Sequence, residues 1–121
     1  MTQEEVVAHL KRLSREFGVK PPKVKWTTLA RGAFYFNSGI ILIGPRSHRG
    51  TEAAMIHEFA HHLVRYRHGH KIHHQRQFSE TLEQVARFFY GDARLYSWGN
   101  EYVCVQNYAK RVGLLSPYSP A

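Results

Sequence analysis

The longest helical pattern of the chain lies at residues 51–66 and reads Thr51-Glu-Ala-Ala-Met-Ile-His-Glu-Phe-Ala-His-His-Leu-Val-Arg-Tyr66. His57 and His61 lie at the margin of its apolar side, and His62 lies on the opposite side. We therefore expect a helix that packs against a core, with two histidines at its border and His62 in solvent. The apolar residues recur every three or four positions within about 100° of arc; they are Ala53, Ile56, Ala60, Leu63 and Val64.

Shorter patterns flank this helix and predict a small sheet and further helices. Apolar spacing predicts helices at residues 4–17, 74–90 and 101–112, and alternation predicts strands at residues 24–28, 33–36 and 40–43. A short turn, Asn37-Ser38-Gly39, joins the last two strands, which is typical of a hairpin. The element order predicts an α+β fold, with a small, mostly antiparallel three-stranded sheet packed against helices.

The composition limits the kind of protein this is. The chain has 121 residues, which suits one domain over residues 1–121, and 43% of them are hydrophobic, enough for one core. It has 17 Lys and Arg against 9 Asp and Glu, and the net charge of +8 favours a polyanionic partner such as DNA. The single cysteine, Cys104, excludes an internal disulfide framework and a cysteine-based zinc ribbon. Metal ligands are therefore expected among the nine histidines and the carboxylates.

Neither a membrane span nor a secretory signal is predicted. The longest apolar run covers residues 39–44, far short of the roughly 20 residues that a membrane helix needs. The first five residues, Met-Thr-Gln-Glu-Glu, are polar and acidic, unlike a secretory signal. We therefore expect a cytoplasmic protein.

The predicted helix 51–66 contains a recognisable metal-binding pattern. Residues His57-Glu58-Phe59-Ala60-His61 match the H-E-x-x-H motif of zinc metallohydrolases. In a helix the two histidines lie about 40° apart, so both imidazoles can bind one ion. Glu58 lies beside them, where a general base is needed to activate water. The motif predicts Zn²⁺ at His57 and His61, with Glu58 as the catalytic base.

A catalytic zinc usually has three protein ligands, so a third is expected. The metzincin class is excluded because Arg67 stands where its third histidine would be, and Val64 replaces the glycine of the intervening turn. His74 extends the apolar stripe of the predicted helix 74–90, whereas the glutamates of that helix fall off it, so geometry favours His74. The full set of candidates comprises the downstream histidines and glutamates: His68, His70, His73, His74, Glu80 and Glu83.

Together these segments resemble the SprT-like, Spartan-type metalloproteases, in which a short β-hairpin precedes an H-E-x-x-H helix and a later histidine completes the site. The matching segments span about half of the chain: a hairpin at residues 33–43, the motif, and His74 with Phe78 four residues later. The chain departs from the family at Gln75, where a glycine commonly follows the third histidine. A looser similarity links residues 83–88, Glu-Gln-Val-Ala-Arg-Phe, to the ImmA/IrrE-like regulatory metallopeptidases.

The SprT-like resemblance implies a zincin-like fold and a zinc-dependent endopeptidase, with Zn²⁺ on His57, His61 and His74. It implies a protein or peptide substrate that adds to a strand edge at Phe36 or at residues 40–43. Because the family is associated with proteins on DNA, it also implies DNA-associated substrates and contact with DNA. Three alternatives stay open: a basic nucleic-acid-binding or regulatory zinc protein with little or no catalysis, an ImmA/IrrE-like regulatory metallopeptidase, and a hydrolase of a non-peptide bond.

Overall fold

The computed structural model describes residues 1–29, 32–69 and 74–118. The prediction of an α+β fold is confirmed. Two short 3₁₀ turns, Ala93–Leu95 and Trp98–Asn100, join the third helix to the fourth. In these ranges the helices and strands follow in this order: α1 Gln3–Phe17, β1 Lys23–Trp26, β2 Phe34–Phe36, β3 Ile40–Ile43, α2 Thr51–His68, α3 Arg76–Tyr90 and α4 Val103–Arg111.

The sheet has the strand order β1-β3-β2, with β3 in the centre. β2 and β3 form the predicted antiparallel hairpin, in which Tyr35 pairs with Ile41, but β1 runs parallel to β3. The prediction of a mostly antiparallel sheet is therefore wrong, because the sheet is mixed. The physical reason is that no tight turn joins β1 to β3: the segment between them contains β2, so the two strands can run in the same direction. Ile41 and Ile43 of β3 are fully buried.

A hydrogen-bonded loop sets where α2 begins. The hydroxyl of Thr51 donates to the carbonyl of Gly44 (3.1 Å), and the Gly44 amide donates to Ser47 Oγ (3.1 Å). A Cβ on Gly44 would lie 1.6 Å from the carbonyl oxygen of Thr27, so only glycine fits where the chain leaves β3. In the same loop Arg49 has a φ of 69°, in the left-handed region that residues other than glycine rarely adopt. This loop holds Arg49 next to the first turns of α2.

α2 lies at the centre of the fold and contacts α1, α3, β2 and β3. Residues 53–60 are all buried, so the helix is enclosed on several sides rather than along one stripe. Phe59 of α2 belongs to the same core as Leu10 of α1, Ile41 of β3 and Leu82 of α3. Buried polar groups on such a helix need hydrogen-bond partners, since an unpaired one is costly. Within the described ranges, no helix combines the length and apolar character that a bilayer span requires.

Candidate metal centre

The period of α2 brings His57 and His61 to the same side of the helix, as the sequence predicts. Their ring centroids lie 5.0 Å apart. His57 is buried and His61 is half-buried, so the pair lies where the core meets a cleft. The Nε2 atoms of both rings are directed at one further imidazole, that of His74.

His74 lies next to this pair but outside the helix in which it was predicted. α3 begins at Arg76, with Gln75 as its N-cap, so His74 belongs to the segment that enters the helix. Its Nε2 lies 3.2 Å from Nε2 of His57 and 3.0 Å from Nε2 of His61. The three histidines lie close enough together to bind one metal ion.

The donor set fits a small divalent ion. Nitrogen ligands at about 2.0–2.1 Å in tetrahedral geometry are separated from one another by about 3.3 Å, close to the two separations found here. Three neutral imidazoles are common ligands of Zn²⁺ and related transition metals. Phe78, fully buried, packs against all three rings, with centroid distances of 4.9 Å to His57, 4.3 Å to His61 and 4.9 Å to His74. Its ring therefore forms an apolar surface against one side of the three imidazoles.

Glu58 lines the same cleft as the three histidines and is buried. Burial raises its pKa to about 8, with Arg49 acting in the opposite direction and the carboxylate of Glu101 adding to the rise. Its place on the cleft beside the three histidines suits the role of base that the motif predicts.

The sequence analysis missed Glu101, which contacts the cluster from behind. Its Oε2 lies 2.7 Å from Nδ1 of His57 and accepts a hydrogen bond from the Tyr96 hydroxyl (2.5 Å). Its Oε1 lies 3.2 Å from Nη1 of Arg49. Burial by itself would raise the pKa of Glu101, but the hydrogen bonds from His57 and Tyr96 and the charge of Arg49 lower it to about 2. Glu101 is thus an ionised acceptor for the Nδ1–H of His57.

Tyr102 and Cys104, also missed, contact His74. The Tyr102 ring stacks on the His74 ring with a centroid distance of 4.1 Å. The guanidinium carbon of Arg49 lies 5.1 Å from the centroid of the Tyr102 ring. Cys104 Sγ donates to the carbonyl oxygen of His74 (3.1 Å). No local signal could have revealed these residues, because their part in the site depends on contacts with residues about 30 to 50 positions away in the chain.

A cleft of about 410 Å³ opens in front of the cluster, and β2 forms one of its walls. Two large side chains of β2 are exposed beside it, Phe34 at 56% and Phe36 at 46%. β2 is an edge strand, whereas the alternative strand edge predicted at residues 40–43 is wrong, because β3 pairs on both sides. Phe36, the other position predicted to contact a bound peptide, lies on this edge strand.

The prediction that His62 faces solvent is wrong. His62 is only 1% exposed, because β2 and the segment after α1 cover the side of α2 opposite the core stripe. Its Nε2 donates to the carbonyl of Lys20 (2.7 Å), and its Nδ1 accepts from the Tyr35 hydroxyl (2.9 Å). Burial lowers the pKa of His62, which keeps the ring neutral and suits this pattern of one donor and one acceptor.

Of the other candidate ligands, those that the structure describes do not join the cluster. His68 is exposed at the end of α2. Glu80 pairs with Arg76, and Glu83 accepts hydrogen bonds from Arg87 and Tyr108. The predictions for His70 and His73 lie outside the described residues.

Comparisons with known proteins add no relative to this picture. No protein-family model, no curated protein and no solved structure matches the chain. The resemblance to SprT-like metalloproteases therefore stays a prediction, and the structural finding is a three-histidine cluster beside a buried glutamate.

Proposed function

We propose that the chain is a zinc-dependent endopeptidase of SprT-like type, in which His57, His61 and His74 hold Zn²⁺ and Glu58 is the general base. The observation that carries the proposal is the convergence of three Nε2 atoms on one cleft that Glu58 also lines. Among the described residues the group of possible ligands consists of three histidines facing a cleft, and three protein ligands are typical of catalytic rather than structural zinc sites.

Each residue has a distinct role in this proposal. Zn²⁺, when bound to three neutral imidazoles, supplies Lewis acidity that polarises a carbonyl and acidifies water. Glu58 takes a proton from the attacking water and delivers it to the leaving amine. Phe78, beneath the three imidazoles, keeps bulk water away from that side of the cluster.

An extended peptide suits the cleft because β2 offers its free edge there. Peptide binding to an edge strand uses main-chain hydrogen bonds, with alternate side chains directed into pockets. The exposed rings of Phe34 and Phe36 provide apolar contact area on this edge. These features favour a peptide bond over a small non-peptide substrate.

The basic surface extends the proposal to substrates on DNA. The net charge is +8, and Lys23 and Lys25 lie exposed on β1, the strand at the other edge of the sheet. Phosphate contacts predict DNA affinity that falls steeply as salt is raised, whereas flat or absent binding would contradict this part of the proposal.

The base is tested with Glu58→Gln, which keeps the size of the side chain but cannot accept the proton. We expect zinc content to stay at the wild-type level and casein hydrolysis to fall by at least about 10²- to 10⁴-fold. Glu80→Gln, the same substitution at an exposed residue of α3, is the matched control and should leave activity unchanged. Hydrolysis that survives in Glu58→Gln, or is absent from the zinc-loaded wild-type protein, would contradict the proposal.

A further inference from the structure

We infer that a ligand clamp orients two of the three metal-binding histidines, with Glu101 as its central positioning residue. The clamp consists of four residues that follow α3 in the chain: Tyr96, Glu101, Tyr102 and Cys104. The first three precede α4, and Cys104 lies in its first turn. The inference rests on the metal centre of the proposed function. It concerns how the ligands are held rather than which bond is cleaved.

The first arm of the clamp acts on His57. The side chain of Glu101 is fully buried, and its Oε2 lies 2.7 Å from Nδ1 of His57. When Nδ1 carries the proton, the lone pair of Nε2 is directed at the cluster, as a metal ligand requires. Tyr96 and Arg49 bind the same carboxylate at 2.5 Å and 3.2 Å, so Glu101 itself is held in place. Nη1 of Arg49 also lies 3.2 Å from Nδ1 of His57, but the carboxylate oxygen is closer at 2.7 Å, so these contacts favour the Nδ1–H tautomer and hold the orientation of the ring.

The second arm acts on His74. This residue precedes α3 and has no regular helical backbone to set its position. The Tyr102 ring covers the imidazole at 4.1 Å with an interplanar angle of 28°, and Cys104 Sγ donates to the His74 carbonyl. Contacts from one short segment thus reach ligands on two different elements.

We therefore expect Glu101 to have a large effect on metal affinity, although its carboxylate makes no direct bond to the metal. Without the carboxylate, the His57 ring can take either tautomer and turn about its side-chain bonds. Loss of such an outer-shell partner typically lowers metal affinity by about 10- to 100-fold.

Zinc affinity of the full-length chain, measured by competition with a chromogenic chelator, tests this with Glu101→Gln. Glu83→Gln is the matched control, because Glu83 also accepts from a tyrosine and an arginine, Tyr108 at 2.5 Å and Arg87 at 2.7 Å, but contacts no ligand. We expect a loss of about 10- to 100-fold for Glu101→Gln and of less than about twofold for Glu83→Gln. Equal affinities in the two variants would overturn the clamp.

Two further measurements separate positioning from simple destabilisation. Nitrogen-15 spectra of the histidine rings in the metal-free protein should show His57 protonated at Nδ1, with a mixture of tautomers in Glu101→Gln. An unchanged tautomer would overturn the inference.

If Glu101→Gln does not fold, Tyr96→Phe decides instead. It keeps the ring and removes only the hydrogen bond to Glu101, so zinc affinity should fall about 2- to 10-fold. Wild-type affinity in Tyr96→Phe would then overturn the clamp.

The outcomes distinguish the clamp from the proposed function. A wild-type protein whose Zn²⁺ affinity depends on the clamp, but which cleaves no peptide, would overturn the peptidase alone. Cleavage with equal affinity in Glu101→Gln and Glu83→Gln would overturn the clamp alone. A wild-type protein that binds no Zn²⁺ would overturn both.

Discussion

The candidate site is built from two halves that are held in different ways. The helical half consists of His57, Glu58 and His61, which follow one another along α2. The tertiary half consists of His74 with the ligand clamp, and its members come from two separate segments, one just before α3 and one at residues 96–104. The helical half is positioned by backbone hydrogen bonds within one helix, and the tertiary half by side-chain contacts between elements. The comparison teaches that the helix supplies two candidate ligands at fixed spacing, while packing supplies the third candidate and the orientation.

The largest expected effect is loss of one ligand from either half. We expect His61→Ala and His74→Ala each to lower zinc affinity by more than the roughly 100-fold upper limit for an outer-shell partner. The reason is that each removes a direct nitrogen ligand, although the two residues are held by different means. Zinc content after dialysis and chelator competition would measure it.

His68→Ala is the matched control for these two variants, since His68 is exposed on the same helix as His61. It should bind zinc as the wild-type protein does. A normal affinity in His74→Ala would break the comparison, because the helical half would then bind the metal without the tertiary half.

A smaller effect, on stability rather than on metal, is expected at His62. His62→Ala removes a buried ring that bonds to Lys20 and Tyr35, so the free energy of unfolding of the metal-free protein should fall by about 1–3 kcal/mol. Urea denaturation measures this. Zinc stoichiometry should stay at the wild-type value, in contrast to His61→Ala one residue earlier.

Tyr35→Phe refines the same test, because it removes only the hydroxyl that donates to His62 and should cost about 0.5–1.5 kcal/mol. A His62→Ala protein that folds with full stability but loses its zinc would show that His62 is a ligand and not a structural residue.

The smallest expected effect is at Cys104. Its thiol is a common type of zinc ligand, yet here it donates to the His74 carbonyl and lies outside the three-histidine group. Because a thiol is a weak donor, Cys104→Ala should change zinc affinity by less than about threefold. Chelator competition measures this change, and a loss as large as that of His74→Ala would place the sulfur in the metal site.

The predictions from sequence were correct where a contact depends on the spacing of residues within one element or between neighbouring elements. The juxtaposition of His57 and His61, the hairpin of β2 and β3 and the approximate bounds of α2 all follow from local spacing. They failed where a more distant element decides the outcome. His62 lies on the polar side of the α2 wheel, and only the packing of β2 and residue 20 over that side buries it. The parallel pairing of β1 with β3 likewise has no local signal, because β2 separates the two strands in the chain.

His74 falls between these cases. The apolar stripe of the predicted helix 74–90 favoured it as the third ligand, and the structure places it beside His57 and His61. It is not in that helix, however, because α3 begins at Arg76. Its position is set by Tyr102 and Cys104, about 30 residues later in the chain.

By itself the sequence determined the helical half of the site, because in an α-helix the spacing of residues fixes the angle between side chains. It also determined that any metal ligands are not a set of cysteines, since the chain has only one. Only the tertiary structure decided the tertiary half. Glu101 lies 44 positions after His57 in the chain, and no local pattern encodes a hydrogen bond between residues so far apart.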